Sequence, residues 1–130
     1  MDRPAHARYT ESHEWALADG DVVTVGITDF AVEHLSDLVF IDLPEPGREL
    51  AAGDPVCEIE SVKAVAEIFS PVPGTVSEVN GKLADEVERL GADPFGEGWI
   101  AKIRASDLAP LEGLMDTTAY ATYLETAEPG

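Results

Sequence analysis

The chain has 130 residues, enough for one domain that buries a core of its own. Its 26 acidic and 8 basic side chains give a formal net charge of −18, which repels phosphate backbones and anionic headgroups and so argues against nucleic acid or membrane partners. No apolar run is long enough to span a membrane, no apolar segment follows the charged N-terminus, and Cys57 is the single cysteine; a monomeric, cytoplasmic protein without signal or disulfide is expected.

In chain order, Glu14 to Ile27 reads as a hairpin, with Trp15, Leu17, Val23, Val25 and Ile27 alternating around a turn at Asp19-Gly20-Asp21. Thr28 is placed to cap a short helix from Asp29 to Leu35 that turns Phe30, Ala31 and His34 or Leu35 inward. Leu38 to Leu43 is a strand stopped by Pro44 and the Pro46-Gly47 turn, and Gly53-Asp54 is a further turn. Val56 to Ile59 and Val65 to Phe69 form the arms of a second hairpin, followed by a strand from Gly74 to Val79. Asn80 to Leu90 predicts one helix with Leu83, Val87 and Leu90 on one face. After a turn-rich loop, Trp99 to Ile103 returns as a strand, Ser106 begins a helical stretch interrupted at Pro110, and Asp116 caps a last helix to Glu125. Gly47 and Gly74 are expected at positive φ. The whole is a mainly β fold, a small β-sandwich or flattened barrel with short appended helices: a single domain over 1–130, with its core at 9–123 and a frayed tail at 127–130.

The run Glu60-Ser61-Val62-Lys63-Ala64-Val65-Ala66-Glu67 carries the chemistry. Lys63 has only Lys82 and Lys102 for company in the chain, and it stands near the tip of a hairpin closed by Ser70-Pro71-Val72-Pro73-Gly74. A turn of this kind fixes the backbone while the side chain projects, the layout of an amine to which an enzyme attaches a group. Amide formation would remove the charge and leave a long neutral arm.

Glu60-Ser61-Val62-Lys63-Ala64 with Ser70-Pro71-Val72-Pro73-Gly74 resembles the lipoyl-attachment segment of the glycine cleavage H-protein family. Tyr9-Thr10-Glu11-Ser12-His13-Glu14-Trp15, Val25-Gly26-Ile27-Thr28-Asp29, Val39-Phe40-Ile41-Asp42-Leu43-Pro44 and Asp93-Pro94-Phe95-Gly96-Glu97-Gly98-Trp99 resemble family segments in the same order, from Tyr9 to Tyr123. The resemblance implies a non-catalytic carrier with lipoate on Lys63. It would take the aminomethyl group of glycine from glycine decarboxylase to a folate-dependent aminomethyltransferase, and dihydrolipoyl dehydrogenase would reoxidise it. A lipoate ligase or a lipoyl/octanoyl transferase would modify it. The same resemblance places Ser12, Glu14 and Glu67 beside the loaded arm, where a cationic amine needs an acceptor and the adduct needs shielding from water. Glu67, four residues after Lys63, shares its strand face if the pairing runs unbroken.

Phe30, Ala66 and Glu86 to Gly91, with Arg89 at an apolar position, depart from the family pattern and bear on partner contacts and the cleft lining. Val62 and Ala64 replace the methionines that flank biotin-acceptor lysines, and Val62 the aspartate of 2-oxoacid dehydrogenase lipoyl domains. A lipoate relay to other lipoyl domains and an unmodified interaction module remain the alternatives. His6, His13, His34 and Cys57 lack metal-ligand spacing; His13 reads as a packing or hydrogen-bonding residue and Cys57 as a buried strand residue. Trp15 and Trp99 read as core or cleft wall.

Overall fold

The computed structural model of the chain describes residues 4–35 and 37–127. Nine strands form among these residues, the longer ones mostly on alternating apolar positions. They are β1 (Arg8–Tyr9), β2 (Glu14–Asp19), β3 (Val22–Ile27), β4 (Leu38–Asp42), β5 (Glu49–Leu50), β6 (Pro55–Ser61), β7 (Val65–Phe69), β8 (Gly74–Val79) and β9 (Ala101–Ala105). They pair antiparallel in two open sheets, one in the order β1-β2-β3-β9-β8-β5 and one in the order β4-β6-β7. Of the two expected forms the chain takes the sandwich-like one, since neither sheet closes into a barrel. Val23, Val25, Ile27 and Ile103 from the larger sheet and Ile41, Ile59 and Ile68 from the smaller one enter a single apolar cluster. Each such side chain contributes about 1.5–3 kcal/mol when fully buried.

The helices are α1 (Asp29–Leu35), α2 (Lys82–Asp85), α3 (Glu88–Ala92), α4 (Ala109–Glu112) and α5 (Thr117–Ala127). Thr28 Oγ1 accepts the Ala31 N–H at 3.3 Å and Asp116 Oδ1 the Ala119 N–H at 2.8 Å, so both expected caps form. In α1, Leu35 is the residue turned fully inward, and His34 is exposed. The single helix expected over Asn80–Leu90 is instead the pair α2 and α3, broken where Glu86 takes φ −133° and ψ 63°. The bend lets Leu83 and Leu90 both bury completely while Val87 stays half-buried. The strand expected from Trp99 begins at Ala101, because the Asn80 side-chain amide donates to the Glu97 and Trp99 carbonyls at 2.7 and 2.8 Å and holds that stretch as loop. Pro110 opens α4 rather than interrupting it, since its missing N–H costs nothing in a first turn.

Gly47 has φ +94°, as expected, but Gly74 is not at positive φ. Gly74 is needed for proximity: a Cβ there would lie 2.9 Å from Ala105 Cα in the paired strand β9. A second cluster of Ala7, Tyr9, Trp15 and Tyr120 docks α5 against the start of the chain, with the Tyr9 and Tyr120 rings stacked at 4.8 Å. Of the tail expected to fray, Ala127 closes α5 and residues 128–130 lie outside the described residues.

Candidate functional site

Strands β6 and β7 are joined by Val62, Lys63 and Ala64, and the Ser61 N–H, donating to the Ala64 carbonyl at 2.8 Å, closes a two-residue turn of Val62 and Lys63. Neither loop residue takes positive φ, so this is not the primed turn that two-residue hairpins favour. The Ser61 side chain supplies the missing support: its Oγ accepts the N–H groups of Lys63 at 3.3 Å and Ala64 at 3.0 Å. From outside the hairpin, the Asp37 carbonyl accepts the Val62 N–H at 3.0 Å. The turn backbone is therefore fixed while Val62, Lys63 and Ala64 are all exposed. Among the described residues no carboxylate lies within ion-pair distance of the Lys63 amine. An exposed, unpaired amine on a braced turn fits an acyl group in amide linkage.

A second arrangement forms between β1 and β2. His13 takes φ +71°, an uncommon conformation for a residue with a Cβ, and this lets the chain double back within five residues. Thr10 N–H donates to the Glu14 carbonyl at 2.9 Å, His13 N–H to the Thr10 carbonyl at 3.1 Å, and Glu14 N–H to Thr10 Oγ1 at 3.0 Å. The loop delivers the Glu14 side chain to a position only 1% exposed. There Oε1 accepts the Ser12 hydroxyl at 2.7 Å and the Thr10 hydroxyl, and Oε2 accepts the Phe69 N–H at 3.3 Å. Three neutral donors hold a buried carboxylate with no cation paired to it among the described residues, and one of them, Phe69, lies on the strand that leaves Lys63. Ser12 itself is exposed, so a hydroxyl is what this corner turns toward water.

His13 anchors the loop. Its Nδ1 lies 2.8 Å from the Tyr120 hydroxyl, which lies 2.7 Å from Thr28 Oγ1, and its ring packs at 4.5 Å from Phe30. Burial, with His34 adding, lowers the pKa of His13 below the ordinary imidazole value. Burial pushes the Cys57 thiol up to about 12, with Asp42, Glu14 and Glu58 contributing, which makes it an inert thiol in the strand position expected for it. Trp15 donates its indole N–H to the Pro94 carbonyl at 3.0 Å, and Trp99 is half-buried with the Lys102 amine 5.2 Å from its ring centre. Among the described residues no three His, Cys, Asp or Glu side chains converge as metal ligands.

Of the expected site residues, Ser12 and Glu14 come together, while Glu67 shares none of their hydrogen bonds. Lys63 sits in the turn and outside the strand, so its four-residue spacing does not set a common face with Glu67. Glu67 instead stands opposite Glu58 on the exposed side of the smaller sheet. Thr10 belongs to the corner but was not legible as such: a threonine four residues before a glutamate has no distinctive signature.

The family model for the glycine cleavage H-protein matches residues 7–127. The chain belongs to the glycine cleavage H-protein family. It is 53% identical over 120 residues to the probable glycine cleavage system H protein of Thermococcus gammatolerans, covering 91% of this chain and 89% of the relative. It is 44% identical over 121 residues to the H protein of Parvibaculum lavamentivorans, covering 93% and 97%. The crystal structure of a glycine cleavage system H protein from Mycobacterium marinum superposes with a TM-score of 0.86 at 36% identity, covering 95% of this chain and 99% of that one. Membership therefore embraces both sheets, the Lys63 turn and the Glu14 corner. None of the described helices is long and apolar enough to cross a membrane.

Proposed function

We propose that this H-protein family member is a cytoplasmic, non-catalytic, monomeric carrier, one domain long, with a lipoyl group in amide linkage to Lys63. The observation that carries this reading is the exposed, unpaired Lys63 amine on a turn braced by the Ser61 hydroxyl and the Asp37 carbonyl. Glu60, Ser61, Val62 and Ala64 complete the attachment segment, a reading supported at Ser61 by its hydroxyl accepting the Lys63 and Ala64 N–H groups. Lipoate would supply a disulfide that accepts the aminomethyl group of glycine and comes away as a dithiol.

The protein's own residues do the positioning. The turn holds the base of the arm still, so that the arm's search is limited to its own rotations. Ser12 and Glu14 would hold the cationic amine of the cargo, with Oε1 free to exchange the neutral Ser12 hydroxyl for a charge-assisted donor. The Phe69 N–H holds Oε2 throughout, which keeps the carboxylate aimed during the exchange. Glycine decarboxylase loads the carrier, a folate-dependent aminomethyltransferase unloads it, dihydrolipoyl dehydrogenase reoxidises it, and a lipoate ligase or lipoyl/octanoyl transferase modifies it beforehand.

The test is exchange of labelled bicarbonate into glycine by glycine decarboxylase, with this chain as the only carrier. The lipoylated chain supports exchange and the unmodified chain does not. Lipoylated chain that supports no exchange, yet passes its acyl group to another lipoyl domain, would overturn the glycine cleavage reading in favour of relay.

A further inference from the structure

The exposed face of the smaller sheet carries a pattern that the carrier cycle leaves unused. Asp42, Glu58 and Glu67 stand directly opposite one another across β4, β6 and β7, and one step nearer the Lys63 turn Phe40, Glu60 and Val65 do the same. All six are exposed, while the intervening Ile41 and Ile59 are buried in the core. Like charges set side by side weaken a sheet, and an aromatic in water gains nothing. A bulge in β4 adds Val39, and the turn adds Val62, so that four of the five exposed large hydrophobic side chains among the described residues gather here. Arg48 lines the groove beside the acidic row, one cation against three carboxylates.

We propose that this face docks the enzyme that attaches the lipoyl group to Lys63. That enzyme presents an apolar seat to Phe40 and Val65 and a row of Lys or Arg side chains to Asp42, Glu58 and Glu67. The inference rests on the carrier reading. Reach selects this partner over the others: a bare lysine side chain extends only about 6 Å, so an enzyme that acylates it must press onto the residues around the turn. Enzymes that act at the far end of the finished arm are under no such constraint. A standard interface takes about 800 Å² from each partner, room for the turn and both rows. With an acyl adenylate as donor, the Lys63 nitrogen attacks the acyl carbonyl, the N–C bond forms, the bond to the phosphate oxygen breaks and AMP leaves, and the amine proton passes to solvent.

The test is attachment kinetics with the full-length unmodified chain, purified lipoate ligase, lipoate and ATP. Two variants probe the face separately: Asp42→Asn with Glu58→Gln and Glu67→Gln, and Phe40→Thr with Val65→Thr. Each raises KM for the chain about tenfold at unchanged kcat, and added salt raises the wild-type KM far more than that of the neutralised variant. The neutralised variant melts no lower than wild type, which separates docking from folding. Attachment to wild type with KM and salt dependence unchanged in both variants would overturn the docking face and spare the carrier reading. No attachment to wild type would overturn both. A concentration-dependent wild-type dimer that both variants abolish would assign the face to a second copy and overturn the choice of occupant.

Discussion

The Glu14 corner and the Lys63 turn are built in opposite ways. At the corner a strained His13 backbone, stacked aromatic rings and three hydrogen-bond donors fix one buried carboxylate. At the turn only the backbone is fixed, and the lysine side chain has no partner among the described residues. The contrast suits a carrier, which needs a rigid receptor for its cargo and an anchor that leaves the arm free to travel. It also separates stability from function: residues at the corner should matter for both, residues at the turn for function alone.

Lys63→Arg gives the sharpest break. It should abolish lipoylation while leaving the melting temperature unchanged, since exposed substitutions of this kind stay within about 0.5 kcal/mol; intact mass and thermal melts check both halves. Glu14→Ala should do the reverse. It removes the acceptor of the Phe69 N–H and two hydroxyls, which costs about 1–3 kcal/mol in denaturant unfolding, and it shortens the lifetime of the loaded protein without lowering the lipoylated fraction. An unchanged lifetime would remove Glu14 from the cargo site. Ser12→Ala should cost about 0.5–1 kcal/mol at most, because Ser12 is exposed and Glu14 keeps two donors, yet it should still change the loaded lifetime; no change would make the corner purely structural.

The smallest effect concerns pH. His13 has a folded pKa below its unfolded value, so its contribution to stability is fully present above pH 6.5 and is lost as the pH falls through the folded pKa. His13→Asn keeps a residue that tolerates positive φ and removes the titration, so it should flatten the fall in melting temperature between pH 7 and 5. An equally steep fall in the variant would place the acid sensitivity elsewhere.

The sheets were legible because alternation in Trp15–Ile27 states which face is buried, and because the apolar run Leu38–Leu43 and the segments Val56–Ile59, Val65–Phe69 and Gly74–Val79 are bounded by Pro and Gly turns. The strands β1 and β5 were not, since two residues carry no period. Leu83, Val87 and Leu90 predicted one helix because apolar spacing does not register a backbone bend at Glu86. Lys63 stood out by its rarity and its turn, and Ser61 explains part of its motif through side-chain bonds that no spacing reveals. The corner was half legible: Ser12 and Glu14 came from family resemblance, whereas Thr10 has no distinctive spacing and Phe69 and Tyr120 join it through contacts distant in the chain. For Glu67 only the premise of a shared strand face fails, because the count from Lys63 runs through residues that form a turn.

The most direct test of a carrier anchored at Lys63 is site-mapped mass spectrometry of this protein made in a host supplied with lipoate and a lipoate ligase. The expected result is one lipoyl group, on Lys63, with Lys82 and Lys102 bare. A folded protein that stays unmodified, or that carries the group on another lysine, would contradict it.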